Sequence, residues 1–160
     1  MIVKHFRRFA REWAMQFLFQ YDLTTAVDKE EAIDDFLFQL GDVEAFNGPS
    51  DEKTFRKARR TTRGIINGIL ENMDEIDKEI SKYSSKWTIN RMEIVDRNVL
   101  RVAIYEMLFC ENVPPIVSIN EAVEIGKVYG SENTSSFVNG ILNAVMNTLE
   151  RSSREAVSDK

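Results

Sequence analysis

Apolar residues recur along this chain three and four positions apart rather than in alternation. Over residues 5–23, Phe6, Phe9, Ala10, Trp13, Ala14, Phe17 and Tyr21 share one broad face at about 100° per residue. Lys4, Arg8 and Arg11 fall opposite, with Arg7 near the edge. The spacing predicts a core-packing helix with a basic solvent face. A second helix is expected from Asp28, which forms a D-x-x-E capping box with Glu31. Its stripe is Ala32, Ile33, Phe36, Leu37 and Leu40, and Gly41 can end it. Residues 42–50, with Asn47-Gly48-Pro49, read as a loop.

A third helix is expected over about 51–71, basic in its first half and apolar in its second. A fourth, about 73–83, carries Ile76, Ile80 and Tyr83 on one side, and Ser84-Ser85-Lys86 reads as a bend. Residues 91–111 have so little polar surface that other helices must surround them. Pro114-Pro115 cannot continue that helix, because proline lacks the N–H and clashes with the preceding turn. Ser118-x-x-Glu121 is a capping box, expected to open a helix through Val128 that Gly130 stops. Asn133 or Thr134 caps a last helix bearing Phe137, Val138, Ile141, Leu142, Val145 and Leu149. Residues 151–160 are polar and expected to fray. The pattern is all-α, with about seven helices and a soft boundary near 84–90.

Composition supports this reading, since 7 Gly and 3 Pro in 160 residues leave little punctuation. No stretch approaches the roughly 20 apolar residues of a membrane span. The opening Met1-Ile2-Val3-Lys4-His5-Phe6-Arg7-Arg8 offers no apolar secretory core. A cytoplasmic protein of one domain is expected, with subdomains of about 1–83 and 87–150. The net charge of -5 argues against a general nucleic-acid binder. That charge is uneven, however: residues 1–21 carry +3, which leaves -8 on the rest.

Catalytic chemistry finds few candidates. Cys110 and His5 are the sole cysteine and histidine, so neither an internal disulfide nor a Cys/His zinc site can form within one chain. No metal or cofactor is expected. His5 sits in the basic start and reads as exposed or RNA-facing; Cys110 reads as buried packing at the end of an apolar helix. Gly64-x-x-x-Gly68 lacks the Lys-Ser/Thr of a phosphate loop and reads as close helix packing. The acidic run 71–79 reads as a solvated face. Nothing points to an enzyme. Binding is better served. Arg7, Arg8 and Arg11 on an aromatic-backed helix can meet successive phosphates, or can simply solvate the helix. The basic cluster at 56–63 reads more as partners for nearby carboxylates.

Several blocks together resemble the NusB family of transcription antitermination factors. The first is Arg7-Arg8-Phe9-Ala10-Arg11-Glu12-Trp13-Ala14-Met15-Gln16-Phe17-Leu18-Phe19-Gln20. Gly68, Asp77, Trp87 and Arg91 follow, then Asp96-Arg97-x-x-Leu100-Arg101-x-Ala103-x-Tyr105-Glu106. The last are Val117-x-Ile119-Asn120-Glu121-Ala122-Val123-Glu124-Ile125-Gly126-Lys127, after Pro114, and Phe137-Val138-Asn139-Gly140-x-Leu142.

The resemblance implies two three-helix bundles packed across each other. It implies binding of the boxA element of ribosomal RNA transcripts together with ribosomal protein S10 (NusE), inside an RNA polymerase antitermination complex. It places an RNA-binding start on Lys4, Arg7, Arg8 and Arg11, and an RNA-facing rim on Asn133, Ser136 and Phe137. Burial between bundles is the other reading of Phe137. Arg101 and Glu106 are expected to make partly buried polar ties, Asn139 to bond backbone groups where helices meet, and Gly140 to allow close approach. Gly126 stands where the family usually has alanine, at a cost of about 1 kcal/mol in helix propensity. Phe9 stands where some members carry a basic residue. A helical protein–protein adaptor, or a homodimer that hides its basic start, is the alternative.

Overall fold

The computed structural model describes residues 5–24, 28–41, 48–84 and 87–150. Among them are seven α-helices and no strand. The helices are α1 (Phe6–Leu23), α2 (Lys29–Gln39), α3 (Glu52–Glu71), α4 (Met73–Tyr83), α5 (Ile94–Phe109), α6 (Pro115–Tyr129) and α7 (Thr134–Met146). One 3-10 turn, Ile89–Arg91, precedes α5. Lys4, most of the expected loop at 42–50, Ser85, Lys86 and the tail 151–160 lie outside the described residues. Contacts divide the chain into two compact units, Met1–Gly68 and Ile69–Lys160. The division falls inside α3 rather than near 84–90, because α4 packs against α5 and α7.

In the first unit, side chains start the helices. His5 accepts from the Arg7 N–H through Nδ1 at 3.2 Å, a cap not foreseen for this residue. The expected Asp28 cap forms, accepting from the Glu31 N–H at 3.1 Å. Asp51 accepts from the Thr54 N–H at 2.8 Å, and this bond holds its carboxyl below the usual range. Rings then bring the helices together. Phe17 meets Phe36 of α2 edge-on at 5.5 Å, and Trp13 meets Phe55 of α3 at 6.0 Å. Arg63 pairs with Asp34 at 2.9 Å and Arg56 with Glu52 at 2.8 Å, as expected for part of the 56–63 cluster.

The burial of α1 corrects one expectation. Its residues from Phe9 to Met15 are buried without a gap, nearly two turns at about 3.6 residues per turn. Arg11, 6% exposed, lies inside that stretch with Glu12. Helical phase placed Arg11 on a solvent face, but a helix buried all round has no such face there.

In the second unit, α5 is the buried helix foreseen from its composition. It packs against α4, α6 and α7, and α6 packs against α7. Buried Arg101 makes the expected tie. Its Nε and Nη2 donate to the two carboxylate oxygens of Asp77 at 2.8 and 2.9 Å, and Nη1 donates to Asn98 Oδ1 at 3.0 Å. This fork fastens α5 to α4.

Four further expectations fail in this unit. Helix α6 begins at Pro115, three residues before Ser118, because proline at the first helical position lacks an N–H that would go unpaired anyway. Ser118 is therefore interior, and its buried Oγ has no partner among the described residues. Gly140 is exposed, and a Cβ there would meet nothing within 4 Å, so it serves no close approach. Asn139 bonds along its own helix, its carbonyl accepting from Asn143 Nδ2 at 2.8 Å. Cys110 is half-buried rather than buried. In the first unit, Gly64 likewise faces open space rather than a packed helix.

Candidate nucleic-acid interface

The first turn of α1 gathers positive charge. Arg7 and Arg8 are half-exposed, and no acid occupies that turn. The Phe6 ring organises the spot: the Arg7 guanidinium lies 5.7 Å from its centroid and Lys57 Nζ of α3 lies 5.8 Å from it. Lys57 thus joins the basic start from a helix whose cluster read as carboxylate partners. The positive end of the α1 dipole points the same way. Such a turn attracts phosphates without regard to base sequence.

The second unit holds a cleft of about 310 Å³. Trp87 and Phe137 contribute rings to its lining, and Met92 adds apolar surface. Arg91, Glu93 and Asp96 contribute charge; Ser131 and Asn133 contribute polar rim. Phe137 is half-exposed here, so full burial does not describe it. Asn133 is exposed at the start of α7 without making a side-chain cap bond, and Ser136 is exposed but not part of the lining.

Thr134 locks the walls. Its hydroxyl donates to Asp96 Oδ1 at 2.6 Å and accepts from the Ser131 N–H at 2.9 Å. Burial pushes the Asp96 carboxyl above the usual range and the Glu93 charge adds to this, while the Thr134 bond opposes it. Two glycines make room for Thr134. A Cβ at Gly130 would sit 2.5 Å from Thr134 Cβ, and one at Gly126 would sit 3.0 Å from Thr134 Cγ2. The close approach explains a glycine at 126 despite its helix cost.

Trp87 is fixed through its backbone. Its N–H donates to the Ser84 carbonyl at 3.0 Å, and the Ser84 hydroxyl donates to the Trp87 carbonyl at 2.8 Å. The sequence places Trp87 and Arg91 in a motif but gives no sign that they face Phe137. That juxtaposition needs the packing of α5 on α7. Among the described residues, no group of three His, Cys, Asp or Glu side chains could hold a metal ion. No helix among them is long and apolar enough to cross a membrane.

Comparison with known proteins gives one consistent match. The NusB family model covers residues 8–147. The transcription antitermination protein NusB of Pelotomaculum thermopropionicum is 45% identical over 144 residues, 90% of this chain and 91% of that protein. The NusB structure from T. maritima superposes with a TM-score of 0.72 at 38% identity, covering 98% of this chain and 96% of that one. A crystal structure of the antitermination factors NusB and NusE with double-stranded RNA matches with a TM-score of 0.70 at 26% identity, covering 90% of this chain and 98% of that one.

Proposed function

Because the chain belongs to the NusB family, we propose that it is a transcription antitermination factor that binds boxA RNA together with NusE. It is a binding protein of the cytoplasm rather than an enzyme, and it joins RNA polymerase through that complex. Arg7 and Arg8, with Lys4 beside them in sequence, grip the phosphates. Asn133, Ser136 and Phe137 form the second contact region. Buried Arg11 leaves the set of side chains that reach a phosphate.

The observation that carries this reading is the acid-free first turn of α1, with Arg7 and Lys57 set about Phe6. Its plainest test is a gel shift of boxA RNA with this chain, with NusE and with both. A tight complex is expected only with both proteins. No shift with the pair, or a homodimer by light scattering that RNA leaves unchanged, overturns the reading.

A further inference from the structure

We infer that Trp87, together with Phe137, makes the cleft of the second unit a seat for one unpaired RNA base, with Arg91 holding the neighbouring phosphate at the rim. The inference rests on the RNA reading above and adds a residue to it.

Trp87 is the first reason. Its side chain belongs to a residue 54% exposed, whereas Trp13 in the first unit is 1% exposed. A large ring left in water gains free energy when something covers it. The ring is not left there by a loose backbone, because the two hydrogen bonds with Ser84 hold Trp87 at both its N–H and its carbonyl. Ser84 itself is buried, and Arg97 donates to the Ile89 carbonyl at 3.3 Å, which steadies the turn that follows. The Trp87 backbone is fixed before any ligand arrives.

The cleft is the second reason. At about 310 Å³ it lies at the small end of ligand pockets, roughly 300–1,000 Å³. That suits one planar group better than a peptide segment. Rings lining one concave site are the common means of holding splayed, single-stranded bases.

Charge decides which part of a nucleotide enters. Glu93 and Asp96 line the cleft and repel a phosphate, while exposed Arg91 attracts one. The base therefore goes in and its phosphate stays outside. A cationic side chain of a partner protein is the competing occupant, and Arg91 counts against it. The Thr134 bonds to Asp96 and Ser131 keep the walls from collapsing when the cleft is empty.

The test measures boxA RNA binding by the NusE complex of the wild type, W87A, W87F and the R7E/R8E double variant. W87A should weaken RNA binding about tenfold, the scale of one lost stacking contact, and leave NusE binding without RNA unchanged. W87F should stay within about threefold, because a ring remains. RNA should quench tryptophan emission in the wild type, and that change should vanish in W87F. An abasic site at one position should cost the wild type as much as W87A does, and cost W87A nothing further. If R7E/R8E weakens binding and W87A does not, the seat is wrong and the RNA reading stands. If neither variant weakens it, the RNA reading itself fails. A loss of NusE affinity in W87A without RNA assigns the cleft to a protein side chain instead.

Discussion

The first turn of α1 and the cleft beside α7 differ in their physics. The turn carries Arg7 and Arg8, no acid, and a ring that serves to set cations in place. The cleft carries two rings, one arginine and two carboxylates in its lining. One region offers charge and the other offers surface. Contacts of the first kind weaken with salt and ignore base identity; stacking is far less sensitive to salt. In a protein of net charge -5, the acid-free first turn of α1 is a local concentration of positive charge of the kind that attracts phosphates.

The largest effect should come from unfastening α5, whose first turn lines the cleft, from α4. Arg101→Ala leaves the Asp77 carboxylate without its fork and should destabilise the protein by about 3 kcal/mol in urea unfolding. A loss under 1 kcal/mol would show that the fork is dispensable. Next comes Gly130→Ala, whose new Cβ forces Thr134 aside. We expect about 2 kcal/mol of destabilisation by thermal unfolding.

Arg7→Glu with Arg8→Glu should cut RNA affinity at least tenfold, about 1.4 kcal/mol, with helicity by circular dichroism unchanged. Arg11 is left out of that variant because it is buried.

The smallest effect concerns pH. The Asp96 carboxyl is raised above its ordinary 3.8, so between 3.8 and its folded value the folded state holds the extra proton. Stability should fall as pH rises through that window, and Asp96→Asn should flatten the slope. Asp51 works oppositely. Its lowered carboxyl keeps the α3 cap intact above 3.8, and the cap is lost as pH falls through the folded value.

Much of the framework was legible in the sequence because it is local. Helix α2 begins on Asp28, whose cap reaches only to Glu31, and the burial of α5 is foretold by that helix's own apolar composition. Ser118 misled because a capping box and a proline start compete, and Pro115 comes first in the chain. Arg11 misled because helical phase shows which face is apolar but not how many neighbours a helix has. The Arg101–Asp77 fork joins residues 24 apart. The cleft joins Trp87 to Phe137 across two intervening helices, α5 and α6. Neither juxtaposition has a local signature, and so half of the candidate site had to await the packed structure.

The most direct measurement is the salt dependence of boxA RNA affinity for the complex with NusE, wild type against R7E/R8E. Each phosphate contact contributes about 0.7 to the log–log slope, so losing two should flatten it by about 1.4. The W87A slope should match the wild type even as its affinity falls. Equal slopes for wild type and R7E/R8E would contradict the assignment of the phosphate grip to the first turn of α1.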